Sequence, residues 1–81
     1  MMIFPNPAQS YFDVQLEIPL TENARWQIHD VHGRSIDSGT LPKQLEGFRY
    51  DCTHLPKGIY FISIQTDFYA ITPQKIIIVE M

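Results

Sequence analysis

From Phe12 to Ile18 the chain alternates without a break, with Phe12, Val14, Leu16 and Ile18 on one side and Asp13, Gln15 and Glu17 on the other. A period of two marks a strand with one dry and one wet face, and it excludes an amphipathic helix here, whose apolar positions recur every three to four residues. Pro19 and Thr21-Glu22-Asn23 close this segment, because proline cannot donate to a ladder and asparagine favours turns. The pattern then returns. Ala24, Trp26 and Ile28 alternate with Arg25, Gln27 and His29, and Asp30-Val31-His32-Gly33 follows as a tight turn in which Gly33 supplies a positive φ.

Arg34 to Ser38 reads as the returning strand of that hairpin, with Gly39 and Pro42 marking a loop. Phe48, Tyr50 and Cys52 share a face opposite Arg49 and Asp51, and His54 to Gly58 is a turn. Ile59 to Thr66 is the most buried strand, with Tyr60, Ile62 and Ile64 inward. Thr66 to Pro73 connects it to a last strand, Gln74 to Glu80, which is rich in Ile and Val. No apolar helical period exceeds one turn. Residues that favour strands (Ile, Val, Thr, Phe, Tyr, Trp) number 29, against 11 for Ala, Leu and Met together. The expectation is one all-β domain over residues 1–81, an Ig-like antiparallel β-sandwich of about seven short strands. Leu55-Pro56-Lys57-Gly58-Ile59-Tyr60 adds a sandwich-specific signal, a tyrosine corner, in which the phenol hydroxyl bonds to backbone a few residues upstream.

Several function classes fall away. The six Lys and Arg residues form no cluster and the formal net charge is −3, which disfavours a nucleic-acid partner. The apolar run Ile76 to Val79 is far short of the ~20 residues of a membrane helix. Met1 to Pro7 has neither a basic start nor a long apolar core and does not read as a signal peptide. Cys52 is the single cysteine, so no internal disulfide forms and the compartment stays open.

The search for chemistry finds little. His29, Asp30 and His32 are the best metal candidates by residue type, yet neighbours on a strand point to opposite faces, so no metal site is assigned. Cys52 with His54 has no third group to orient a base and reads as a small buried cysteine. Asp13 and Glu17 would stand roughly 13 Å apart along a strand, beyond the ~9.5 Å limit of a glycosidase pair. Tyr11, Phe68 and Tyr69, with Trp26, could form a sugar-binding platform if they shared one exposed surface. No cofactor and no catalytic residue are assigned, and the chain reads as a non-enzyme.

Four segments in order carry a resemblance: Phe4-Pro5-Asn6-Pro7-Ala8, Asp30-Val31-His32-Gly33, Leu55-Pro56-Lys57-Gly58-Ile59-Tyr60-Phe61 and Gln74-Lys75-Ile76-Ile77-Ile78-Val79. Together they resemble the C-terminal sorting domain of type IX secretion cargo, also called the Por secretion system sorting domain. The resemblance implies an Ig-like sandwich at the end of a longer protein exported by Bacteroidetes-type bacteria. Such a protein passes through the periplasm to the cell surface or the medium. Its partners would be the type IX outer-membrane translocon, a sortase-like protease and an N-terminal passenger. Since such domains follow a long passenger, the chain is expected to be an excised domain or a truncated reading frame.

By the same resemblance, Pro5, Asn6, Pro7, Asp30, Gly33, Leu55, Gly58, Tyr60, Lys75, Ile76, Ile77, Ile78 and Val79 match the family motifs. Pro5 and Pro7 would hold the opening segment extended, so that the junction with the passenger stands clear of the sandwich. Asp30 and Gly33 fit a turn role as well as recognition, and Lys75 fits either translocon contact or protection of an edge strand. The Ile-rich last strand is the candidate docking edge and a route to weak self-association. An Ig- or fibronectin-like carbohydrate-binding or adhesion module is the alternative.

Overall fold

The computed structural model describes residues 1–80, and Met81 lies outside the described residues. Seven strands make up the described chain: β1 (Met2–Phe4), β2 (Tyr11–Gln15), β3 (Ala24–Asp30), β4 (Ser35–Leu41), β5 (Gly47–Asp51), β6 (Gly58–Gln65) and β7 (Ala70–Ile78). They form two antiparallel sheets, β1-β2-β5 and β4-β3-β6-β7. This is the Ig-like sandwich read from the alternation, with the fourth strand beside β3, giving three strands on four where constant-type immunoglobulin domains have four on three. Among the described residues no helix is long and apolar enough to cross a membrane.

The core lies between the sheets and is made by alternate residues of each strand. Phe12 and Val14 project from one sheet, and Ile28, Ile62, Ile64 and Ile76 from the other, all essentially without exposure. Burying each such side chain stabilises the fold by about 1.5–3 kcal/mol. β6 is the centre of the larger sheet, paired with β3 on one side and β7 on the other, and its inward residues are the expected Tyr60, Ile62 and Ile64.

Four local readings change. β2 stops at Gln15, and Ile18 is 72% exposed, because the chain leaves the sheet to cross the sandwich before Pro19. Leu20 fills the core instead, held by backbone bonds with Gln44 and Leu45 at 2.6 and 3.0 Å. β4 runs through Gly39 to Leu41, because Gly39 is a slot for an aromatic ring: a Cβ there would lie 2.5 Å from the Trp26 indole nitrogen. β7 begins at Ala70 and not at Gln74, with Pro73 inside it close to a register shift opposite Ile62 and Ile64, where the ladder tolerates a missing donor. β1, too short to show a period, was not legible and pairs with β2.

Candidate recognition surface

The β3–β4 turn is organised by one carboxylate. Asp30 Oδ1 accepts from the His32 and Arg34 backbone N–H groups at 2.9 and 3.0 Å, and Oδ2 accepts from Arg34 Nε at 2.9 Å. Partial burial would raise its pKa, but the bonds from the Arg34 backbone and guanidinium and from the His32 backbone outweigh this and hold it below the ordinary value. Gly33 sits at φ 81°, as the turn requires. With both oxygens committed and the His29 ring stacked on Phe61 at 5.9 Å, the trio His29, Asp30 and His32 does not converge. Among the described residues no group of three His, Cys, Asp or Glu is placed to hold a metal ion.

The tyrosine corner is present. Tyr60, 6% exposed, donates its hydroxyl to the Pro56 carbonyl at 2.6 Å, and Leu55 is buried beneath the turn. Gly58 adopts φ 153°, which a side chain would disfavour, and pairs with Ile78 on β7.

The opening segment does not stand clear of the sandwich. Asn6 donates its side-chain amide to the Lys75 carbonyl at 3.1 Å and accepts from the Ile77 N–H at 3.0 Å. Ala8, fully buried, follows with backbone bonds to Ile77 and Val79 at 2.8 and 2.9 Å, forming a parallel bridge to Ile78. A side-chain amide carries the same donor and acceptor as a peptide group, so Asn6 completes a short pseudo-strand. The Ile-rich edge expected to be open is therefore occupied from Lys75 to Val79.

These contacts bring the four sequence segments into one line. Asp30 pairs with Tyr60, Tyr60 pairs with Ile76, and Asn6 bonds to the residues on either side of Ile76. Motifs up to 71 residues apart thus form a single cross-strand row at one end of the four-stranded sheet. On the outer face beside it Ile59 is exposed, Phe61 and Ile77 are half-buried and Lys75 is exposed opposite Phe61, and Val31 is exposed in the adjoining β3–β4 turn.

The family whose profile matches the chain is described as a secretion system C-terminal sorting domain, and the match covers residues 2–79. The chain belongs to this family. It is a type IX secretion C-terminal sorting domain, a family whose members are secretion signals. Type IX sorting domains accompany export to the cell surface or the medium as part of a larger protein. No curated protein matches the chain.

The remaining candidates of the sorting domain are structural. Cys52 is fully buried with its thiol toward the Gln9 carbonyl, and burial pushes its pKa up, so thiolate chemistry is disfavoured. His54 turns from it to the Tyr50 hydroxyl, 3.1 Å away. Asp13 is held by Arg49 through bonds of 2.8 and 3.2 Å, and that pairing lowers its pKa. The aromatics do not form one platform. Trp26 packs inward against Phe48 and Tyr50, Tyr11 lies under the Arg49 guanidinium beside the opening segment, and Phe68 and Tyr69 sit in the β6–β7 turn.

One contact was missed by sequence reasoning. The Tyr50 hydroxyl on β5 donates to Asp37 Oδ2 on β4 at 2.7 Å, joining the two sheets, and burial followed by this carboxylate raises the Tyr50 pKa. The available signal was Asp37, whose register opposite Ile28 points it inward.

Proposed function

We propose that this sorting domain is the non-catalytic address read by the type IX outer-membrane translocon, which carries an N-terminal passenger from the periplasm across the outer membrane. A sortase-like protease then removes the domain, and the passenger is released or attached to the cell surface. The observation that carries the reading is the family match over residues 2–79, reinforced by the alignment of its four motif segments in one row. In this reading Pro5, Asn6, Pro7, Asp30, Gly33, Leu55, Gly58 and Tyr60 shape the row, while Lys75 and Ile76 to Val79 supply the strand that the translocon reads. Lys75 and the neighbouring apolar residues Ile59, Phe61 and Ile77 form the accessible part of that surface. Strand edges also provide a route to weak self-association.

The test is export. The domain is placed behind a signal peptide and a fluorescent passenger in a host with a type IX system, and surface and medium signal are compared with a translocon-deficient strain. Translocon-dependent export is expected. A folded fusion retained in the periplasm of the competent host would refute the reading.

A further inference from the structure

The outer face of β3 lies between two cross-strand rows of polar side chains. Thr40, Arg25 and Gln65 form one row across β4, β3 and β6, and Ser38, Gln27 and Ser63 form the next. Rows two residues apart along a strand stand roughly 7 Å apart and neighbouring strands about 4.8 Å apart, so the side chains cover one compact patch. Ser63 is half-buried and the others are exposed. They line a depression of about 320 Å³, which meets a second of about 540 Å³ at Arg25 and Thr40, where Asn23 and Asp67 continue the polar lining.

The chemistry of this groove is of one kind. Each glutamine amide offers both a donor and an acceptor, and each serine or threonine hydroxyl does the same. Of the side chains around the first depression, Arg25 alone has a hydrogen-bonding partner among the described residues, Asp67 Oδ1 at 3.2 Å. That ion pair leaves the groove without net charge, since no other charged residue lines it. At the next outward position of β3 the His29 ring stacks on Phe61 at 5.9 Å, which puts an apolar shelf beside the Ser38–Gln27–Ser63 row.

We infer that this groove binds an uncharged oligosaccharide. A sugar presents neighbouring hydroxyls that donate and accept at once, as the lining amides and hydroxyls do, and the shelf receives the apolar face of a ring at the end of the chain. A first depression at the lower end of the ~300–1,000 Å³ range of small-ligand sites, continued into a second, suits a chain of sugars better than a single ring. A phosphate or carboxylate would find its only cation already paired with Asp67. A peptide is poorly served, because strand addition needs a free backbone edge and β3 is paired on both sides under the groove. The site uses none of Tyr11, Phe68 and Tyr69, and it shares only Phe61 with the surface assigned to the translocon. The inference goes beyond the sorting function, and its test needs no secretion host.

The domain, labelled with nitrogen-15, is titrated with maltohexaose, cellohexaose, xylohexaose, mannohexaose and chitohexaose, with their monosaccharides, with trigalacturonate as an acidic sugar and with a polar hexapeptide. At least one of the neutral hexasaccharides is expected to shift the amide signals of Arg25, Gln27, Ser63 and Gln65 saturably, with a Kd below about 1 mM, and its monosaccharide to bind at least about tenfold more weakly. Gln27→Ala and Gln65→Ala are each expected to weaken binding about three- to tenfold, the range for one neutral hydrogen bond, and the double variant by at least about tenfold. Gln15→Ala, an exposed change on the other sheet, is expected to leave it unaltered. Should the double variant fail to fold, Thr40→Ala with Ser63→Ala is read in the same way. Silence of every neutral hexasaccharide up to about 10 mM overturns the inference, as does saturable binding that shifts amides elsewhere or survives the double variant. Tighter binding of trigalacturonate, of the monosaccharides or of the hexapeptide than of any neutral hexasaccharide overturns it as well.

Discussion

Replacing Tyr60 by Phe deletes one oxygen and little else. The lost contact is the 2.6 Å bond from the Tyr60 hydroxyl to the Pro56 carbonyl, and the ring stays in a position that is 6% exposed. A neutral hydrogen bond contributes a net ~0.5–1.5 kcal/mol, and the abandoned acceptor sets where in that range the loss falls. Pro56 is exposed, so water can take over its carbonyl, and the expected loss is about 1 kcal/mol. For a domain of 81 residues that corresponds to a fall in Tm of roughly 4–8 °C. Urea unfolding measures it directly: the midpoint should fall with the slope unchanged, since the surface exposed on unfolding is nearly the same. A loss below about 0.3 kcal/mol would mean that the corner is geometry without energy, and a loss above about 3 kcal/mol would mean that the hydroxyl holds the β5–β6 turn as a unit.

Tyr50→Phe should cost more, about 1.5–3 kcal/mol by the same unfolding assay, because the hydroxyl bonds a half-buried carboxylate, Asp37, which then loses its donor. Gly39→Ala drives a methyl to 2.5 Å from the Trp26 indole nitrogen, so a loss of about 1–3 kcal/mol with altered tryptophan fluorescence is expected, and unchanged fluorescence would contradict the slot. Asp30 has its pKa lowered in the folded state from an ordinary 3.8, so the stability it contributes is fully present above that value and is lost as pH falls through the lower folded one. Asp30→Asn should therefore flatten the acid limb of stability against pH in thermal melts, and an unchanged limb would refute the assignment. Ile62→Ala, at a fully buried site in the central strand, should cost about 2–5 kcal/mol in urea unfolding.

Most of the sandwich was legible because alternation reports directly on burial. Phe12 and Val14, Tyr50 and Cys52, and Tyr60, Ile62 and Ile64 all point where their period places them. Gly33 and Tyr60 were legible for a different reason, since a positive φ and an amphipathic phenol each have few places to go. Elsewhere local rules failed where tertiary packing overrode them. Gly39 signals a loop by propensity but serves as room for Trp26, Ile18 continues a pattern that the chain abandons to cross the sandwich, and Pro73 marks an irregularity inside a strand and not the end of a loop.

By itself the amino-acid order determined the class of fold, the inward face of the central strands, the turn at Asp30–Gly33 and the family to which the motifs belong. Each of these depends on residues close together or on a pattern of residue types. Only the tertiary structure decided that the four motifs share one row, that Asp37 and Tyr50 tie the sheets together, and that Asn6 closes the edge of β7. Those contacts join residues 13 to 71 positions apart. Hydrogen-bonding groups so far apart meet only when sheet register and the packing of one sheet on the other bring them within reach, and neither is encoded by any single stretch of chain.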